Sequence, residues 1–140
     1  MILSISLSTI FITLGAIHFN WVVGGTFGFA ESLPTKESGE RVLNPKKMDS
    51  AIVGTGLTLF GVFYIFKSGM TENILPNWLL EYGGWVIPII FILRAIGEFK
   101  YVGFFKSVNK TDFAKLDTKL YSPLCLVMGV MGIAIQLRLF

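Results

Sequence analysis

Arg94 and Glu98 stand four residues apart inside an apolar run, a spacing that places both on one face of an α-helix and within reach of each other. Ionisable side chains at membrane depth cost about 2.5–3.5 kcal/mol each on insertion scales, so each one needs a reason to be there. Gly97 and Tyr101 fall on the same face and extend a polar, notched stripe. His18 sits in another apolar run, with Trp21 three residues on. A histidine beside a carboxylate can pass a proton or hold a polar headgroup. Two plainer roles compete with that chemistry: Arg94 and Glu98 neutralise each other and lock helix packing, and His18 makes one interhelical hydrogen bond. Asp49, Asp117 and Tyr121 are the further polar residues expected to close such a site at its mouth.

Other chemistries find little support. One His and one Cys cannot furnish a usual zinc site. There is no Gly-rich phosphate loop and no GxSxG or Cys–His protease pattern. No metal and no cofactor is therefore expected, and Cys125, inside an apolar run, reads as a small packing residue.

The elements that would position these residues are set by composition. Of 140 residues, 53% are hydrophobic and 15% charged, against roughly 25% charged in soluble domains, and the mean hydropathy is +0.67. A soluble domain of this size cannot keep that much apolar surface from water. The chain reads as one integral membrane domain, residues 1–140, all-α, with four transmembrane helices near 2–23, 50–66, 79–101 and 123–139. Asp49 or Ser50 is expected to cap the second, and Ser122-Pro123 to open the fourth. The first run has no Lys or Arg ahead of it and is longer than an ordinary signal-peptide core, which favours a retained span.

The formal net charge of +3 does not imply nucleic acid, because the basic residues sit in the gaps between apolar runs and form no aromatic-interleaved surface. Lys36, Arg41, Lys46 and Lys47 lie in the first loop, and Lys100, Lys106, Lys110, Lys115 and Lys119 in the third, against Lys67 and Arg138 on the opposite side. The positive-inside rule then places the first and third loops in the cytoplasm and both termini outside. In that orientation His18 and Glu98 fall at similar depth. Thr111 to Leu120 carries Phe113, Leu116 and Leu120 at helical spacing among lysines. It reads as a short amphipathic helix, either lying on the inner membrane surface or docked at the bundle's mouth. The first loop, 26–48, is expected to be a structured cover or a flexible loop. Gly54, Thr58 and Gly61 in the second span, and Cys125, Gly129, Gly132 and Gln136 in the fourth, mark close-packing seams.

The strings also resemble a known family. His18-x-x-Trp21 with Gly24-Gly25 and Pro34, then Arg94-Ala95-Ile96-Gly97-Glu98-Phe99, Val102-Gly103-Phe104-Phe105-Lys106, Asp117-Thr118 and Tyr121-Ser122-Pro123-Leu124-Cys125, are similar to the small bacterial integral membrane proteins of domain-of-unknown-function family 3995. The resemblance implies a four-span bacterial inner-membrane protein. It maps the family's recurring positions onto His18, Trp21, Arg94, Glu98, Asp117 and Tyr121, and it brings no reaction or ligand with it.

The expected function is binding of a small hydrophobic, anionic or lipid-like ligand in a polar pocket open to the cytoplasmic side, lined by His18, Trp21, Arg94, Glu98, Tyr101, Asp117 and Tyr121. An intramembrane enzyme using His18 and Glu98 as acid and base is one alternative, and a structural subunit of a membrane complex is another. Membrane lipid is the expected partner, with a homo-oligomer through the Gly129/Gly132 face or a membrane-protein partner left open.

Overall fold

Lipid offers backbone N–H and C=O groups no partner, so a chain this apolar must satisfy them within helices. The computed structural model describes residues 2–42 and 46–138 and is all-helical. The four long helices are α1 (Ile2–Val22), α2 (Lys47–Ser68), α3 (Asn77–Ile96) and α4 (Asp112–Leu137), each long and apolar enough to cross a membrane. Among the described residues the only β-type pairing is an isolated bridge between Thr35 and Arg41.

Three boundaries differ from the sequence expectation, each for a local reason. α2 begins at Lys47, and neither Asp49 nor Ser50 is its cap. Asp49 instead reaches back from the first turn, its Oδ2 accepting the Lys46 N–H at 2.8 Å. α3 stops at Ile96, not near residue 101. Gly97 turns the chain with φ 88°, and its N–H closes the helix on the Leu93 carbonyl at 2.8 Å. Hydropathy runs on past that point because Phe99, Tyr101 and Val102 are apolar, yet Phe99 is 62% exposed in a left-handed conformation.

α4 starts eleven residues before the expected 123, at Asp112, where Thr111 Oγ1 accepts the Ala114 N–H at 3.0 Å as an N-cap. The periodic segment of the third loop is thus helical, and it runs directly into the fourth span through a π-turn at Asp117–Tyr121. Pro123 lacks the N–H that a helix interior needs, and the wide turn just before it absorbs the missing donor. The Ser122-Pro123 signal falls where regular α-helix resumes after the π-turn, over Ser122–Leu137 with Pro123 in its first turn, although Tyr121 and not Ser122 is the residue before it. Leu139, the expected end of this span, lies outside the described residues, as does Pro45 of the first loop.

Packing follows the small-residue seams. Gly15 of α1 and Gly54 of α2 bring the two backbones together, so that a Cβ on Gly54 would lie 3.2 Å from the Gly15 carbonyl oxygen. One step along, Ser8 Oγ donates to the Gly61 carbonyl at 2.7 Å. On α4, Gly129 faces Ile92 and the Pro88 carbonyl of α3, and Gly132 faces the Pro88 ring. Both seams are filled within the chain. Gly129 and Gly132 are therefore packed against α3 within the chain. An aromatic cluster joins the helices at the centre, with Phe11 5.6, 5.8 and 5.2 Å from the rings of Phe60, Tyr64 and Phe91. Ile52, Leu59, Leu93 and Val130 are exposed on the outside, as lipid-facing residues would be.

The Ser8 bond offers a calibrated test of the α1–α2 contact. Interhelical hydrogen bonds in membrane proteins average about 0.6 kcal/mol and reach about 1.7, and Gly61 retains its place in the α2 ladder without Ser8. Ser8→Ala is therefore expected to cost well under 2 kcal/mol in a detergent unfolding titration. A larger loss would mean that the hydroxyl holds more than this one carbonyl.

The α2–α3 end is closed by Lys67 Nζ donating to the Leu80 carbonyl and Gln136 Nε2 to the Glu81 carbonyl, both at 3.2 Å. Trp78, Tyr82 and Trp85 are exposed at that end, where an aromatic belt belongs. The first and third loops share the opposite end. There the described part of the first loop holds a 3-10 turn at Ala30–Ser32 and buried Leu33, and Trp21 Nε1 donates to the Phe27 carbonyl at 2.6 Å.

Candidate functional site

The end of the bundle shared by the first and third loops gathers the polar residues. After Gly97 the chain folds back beneath α3, and the Phe104 N–H caps the Ala95 carbonyl at 2.7 Å. The return brings Gly103 so close to the end of α3 that an added Cβ would collide with the Ile96 carbonyl oxygen. Gly103 has φ 91°, which an L side chain rarely adopts. This turn delivers the Gly103 N–H to Asp117 Oδ2 at 2.8 Å.

Asp117 is fully buried and is the centre of the arrangement. Its Oδ1 accepts from Arg94 Nη2 at 2.9 Å. Its Oδ2 lies 3.2 Å from Lys106 Nζ and accepts from Ser122 Oγ at 3.0 Å. The π-turn makes the last bond available: five residues is about 1.4 turns of regular α-helix, which would leave Asp117 and Ser122 on different sides. Lys106, with its side chain 1% exposed, also donates to the Gly103 carbonyl at 3.0 Å and to Thr118 Oγ1. Two buried or half-buried cations thus share one carboxylate, and the cluster carries a surplus positive charge. Arg94 is the more exposed of the two cations, its side chain 31% exposed against 1% for Lys106. Among the described residues Arg94 Nη1 is buried without a hydrogen-bond partner.

The expected site residues divide between this cluster and its surroundings. Arg94 and Asp117 meet directly. Tyr121 lies one step away, its hydroxyl donating to the Glu31 carbonyl at 3.0 Å and so tying the first loop to α4. Its ring lies 5.8 Å from that of buried Phe113. Glu98 does not pair with Arg94. Because α3 has already ended, the carboxylate turns outward, is exposed, and accepts the Tyr101 N–H. Tyr101 is half-buried, with Lys100 Nζ 5.2 Å above its ring.

His18 and Trp21 form a separate group on the α1–α2 side. His18 Nδ1 donates to the Leu14 carbonyl of its own helix at 2.7 Å. Its ring sits 4.5 Å from Trp21, which in turn lies 5.4 Å edge-on to Phe29. His18 Cβ abuts Gly54 of α2. The shared depth of His18 and Glu98 thus does not become a contact.

Lys106, Gly103, Thr118 and Ser122 are members of the cluster that charge counting misses, since Lys106 reads simply as one more loop lysine. Gly103 and Lys106 do fall inside the family-like string that runs from Val102 to Lys106. Among the described residues no group of three or more His, Cys, Asp or Glu side chains converges as a metal site would require.

Residues 11–132 match the family described as "Protein of unknown function (DUF3995)". The chain belongs to that family. No curated protein and no solved structure matches it. The DUF3995 match takes in the whole cluster from Arg94 to Ser122 as well as His18 and Trp21, so both polar groups lie inside the region that defines membership.

Proposed function

We propose that this DUF3995 protein is a four-span protein of the bacterial inner membrane that binds an anionic, lipid-like ligand at the basic end of its bundle. In this reading the first and third loops face the cytoplasm and both termini face out, which the excess of Lys and Arg in those loops supports. The start of α4, with exposed Lys115 and Lys119, lies at the level of the inner headgroups. The observation that carries the proposal is the half-partnered guanidinium. Arg94 gives one nitrogen to Asp117 and keeps Nη1 unpartnered. An unmade hydrogen bond at a buried donor costs about 1–3 kcal/mol, and more for a charged group. A carboxylate or phosphate oxygen reaching that nitrogen relieves the cost, and the surplus charge of the cluster selects for an anion. Exposed Phe99, Phe104 and Phe105 on the adjoining loop supply apolar surface for the rest of an amphiphile.

Acid–base chemistry between His18 and Glu98 is the less favoured reading, because each is engaged locally, with the Leu14 carbonyl and the Tyr101 N–H.

The test compares the wild-type chain with Arg94→Lys, which keeps a cation beside Asp117 and loses the planar fork. Wild type purified in mild detergent is expected to carry an anionic amphiphile identifiable by mass spectrometry, and Arg94→Lys to lose most of it at unchanged helical content. Equal occupancy in the two proteins, or a bound species without an anionic group, would overturn the assignment.

A further inference from the structure

A concavity lies beside Lys106 at the start of α4. It is open, holds about 500 Å³, and is lined by Phe104, Lys106, Asn109, Lys115, Thr118 and Lys119. Among the described residues no carboxylate lines it. The contrast with the neighbouring cleft is informative: that one, between the first loop and the start of α4, has a similar volume but mixes Glu31, Glu37 and Asp112 with Lys36 and Lys110.

Three lysines around one concavity repel one another, and Lys115 and Lys119, at i and i+4, do so along a single helix face. Lys106 is held by Asp117, Gly103 and Thr118, while Lys115 and Lys119 are exposed and free to converge on a guest. Thr118 Oγ1 already accepts the Lys106 N–H, which leaves its own proton to donate. Asn109 adds amide donors. The walls therefore offer two mobile ammonium groups, a hydroxyl donor and an amide, with half-exposed Phe104 beside them.

We propose that this concavity binds a phosphate-bearing headgroup, the guest accepting from Lys115, Lys119, Thr118 and Asn109. The proposal goes beyond the reading above: both place an anion at the same end of the bundle, but at different residues. It uses none of the bonds of Arg94, so the two stand or fall separately.

The experiment uses the full chain in detergent, with phosphatidylglycerol, phosphatidylcholine and inorganic phosphate as probes and native mass spectrometry as the readout. The double variant Lys115→Gln/Lys119→Gln is compared with Lys36→Gln/Lys47→Gln, which removes the same charge from residues outside the concavity. The expected result is a preference for phosphatidylglycerol over phosphatidylcholine. Its affinity is expected to fall on the order of tenfold in the first double variant and little in the second. If millimolar inorganic phosphate displaces the lipid from wild type, the phosphate chemistry is upheld and the group recognised is phosphate itself. If it does not, the lipid headgroup as a whole is the guest. Equal losses in the two double variants would reduce the effect to general surface charge and overturn the site. Loss in Arg94→Lys alone would sink this proposal and leave the Arg94 reading standing. Loss in Lys115→Gln/Lys119→Gln alone would do the reverse.

Discussion

Asp117→Ala is expected to destabilise the protein by about 3–5 kcal/mol, the range found when one partner of a buried ion pair is removed. The substitution leaves Lys106 with its side chain 1% exposed and Arg94 half-buried, both still cationic and without a counter-charge. It also strips the acceptor from the Gly103 N–H and the Ser122 hydroxyl. The damage should be local before it is global. Residues 97–110 reach α4 through these bonds, so limited proteolysis is expected to cut there first. An SDS unfolding titration measures the size, and the triple variant Arg94→Met/Asp117→Leu/Lys106→Met checks the cause. If uncompensated charge is responsible, the triple variant recovers most of the stability despite carrying more substitutions. A change below about 0.5 kcal/mol in Asp117→Ala, typical of indifferent surface sites, would mean that the cluster does not hold the loop.

Gly103→Ala carries the second large effect, and its physics is steric. A left-handed backbone costs an L side chain roughly 1–2 kcal/mol by itself. Here the new Cβ also collides with the Ile96 carbonyl oxygen and the Gly97 backbone, which are fixed by the end of α3. Gly24 provides the control: its φ is 96°, similar to the 91° of Gly103, but a Cβ there meets nothing within 4 Å. Gly24→Ala should therefore show the backbone cost alone, and Gly103→Ala clearly more in the same titration. Because the Gly103 N–H is a ligand of Asp117, Gly103→Ala is also expected to expose the 97–110 segment to protease. Equal effects at the two glycines would show that the turn beneath α3 relaxes freely.

Much of this arrangement was legible in the residues, and the failures have identifiable physical causes. Four spans followed from the apolar runs because lipid leaves the backbone few options. The seams at Gly54/Gly61 and Gly129/Gly132 followed from the need for close approach. Arg94 and Asp117 stood out by their type. Their pairing did not, because it depends on a chain reversal at Gly97 that hydropathy cannot register. Phe99 and Phe105 remain apolar whether they lie in a helix or in a loop at the membrane surface. The i, i+4 rule then assigned Arg94 to Glu98, a partner that requires α3 to run at least two residues further. Lys106 was hidden for the opposite reason: buried lysines are uncommon, so a lysine in a polar loop reads as solvated until the fold places a carboxylate beside it.

The π-turn at Asp117–Tyr121 has a consequence for phase. In a uniform α-helix each residue advances by about 100°, so the azimuth of every side chain from Asp112 to Leu137 would be locked to that of every other. The wide turn breaks the lock. Below it, Phe113 and Ala114 are buried toward the first loop. Above it, Met128, Gly129 and Gly132 face the bundle and α3. Each half is oriented by its own neighbours, and the turn takes up the difference. α4 thus behaves as two shafts joined by a coupling, with Asp117 seated in the joint. The basic end can be set at its own angle while the apolar half keeps its grip on α3.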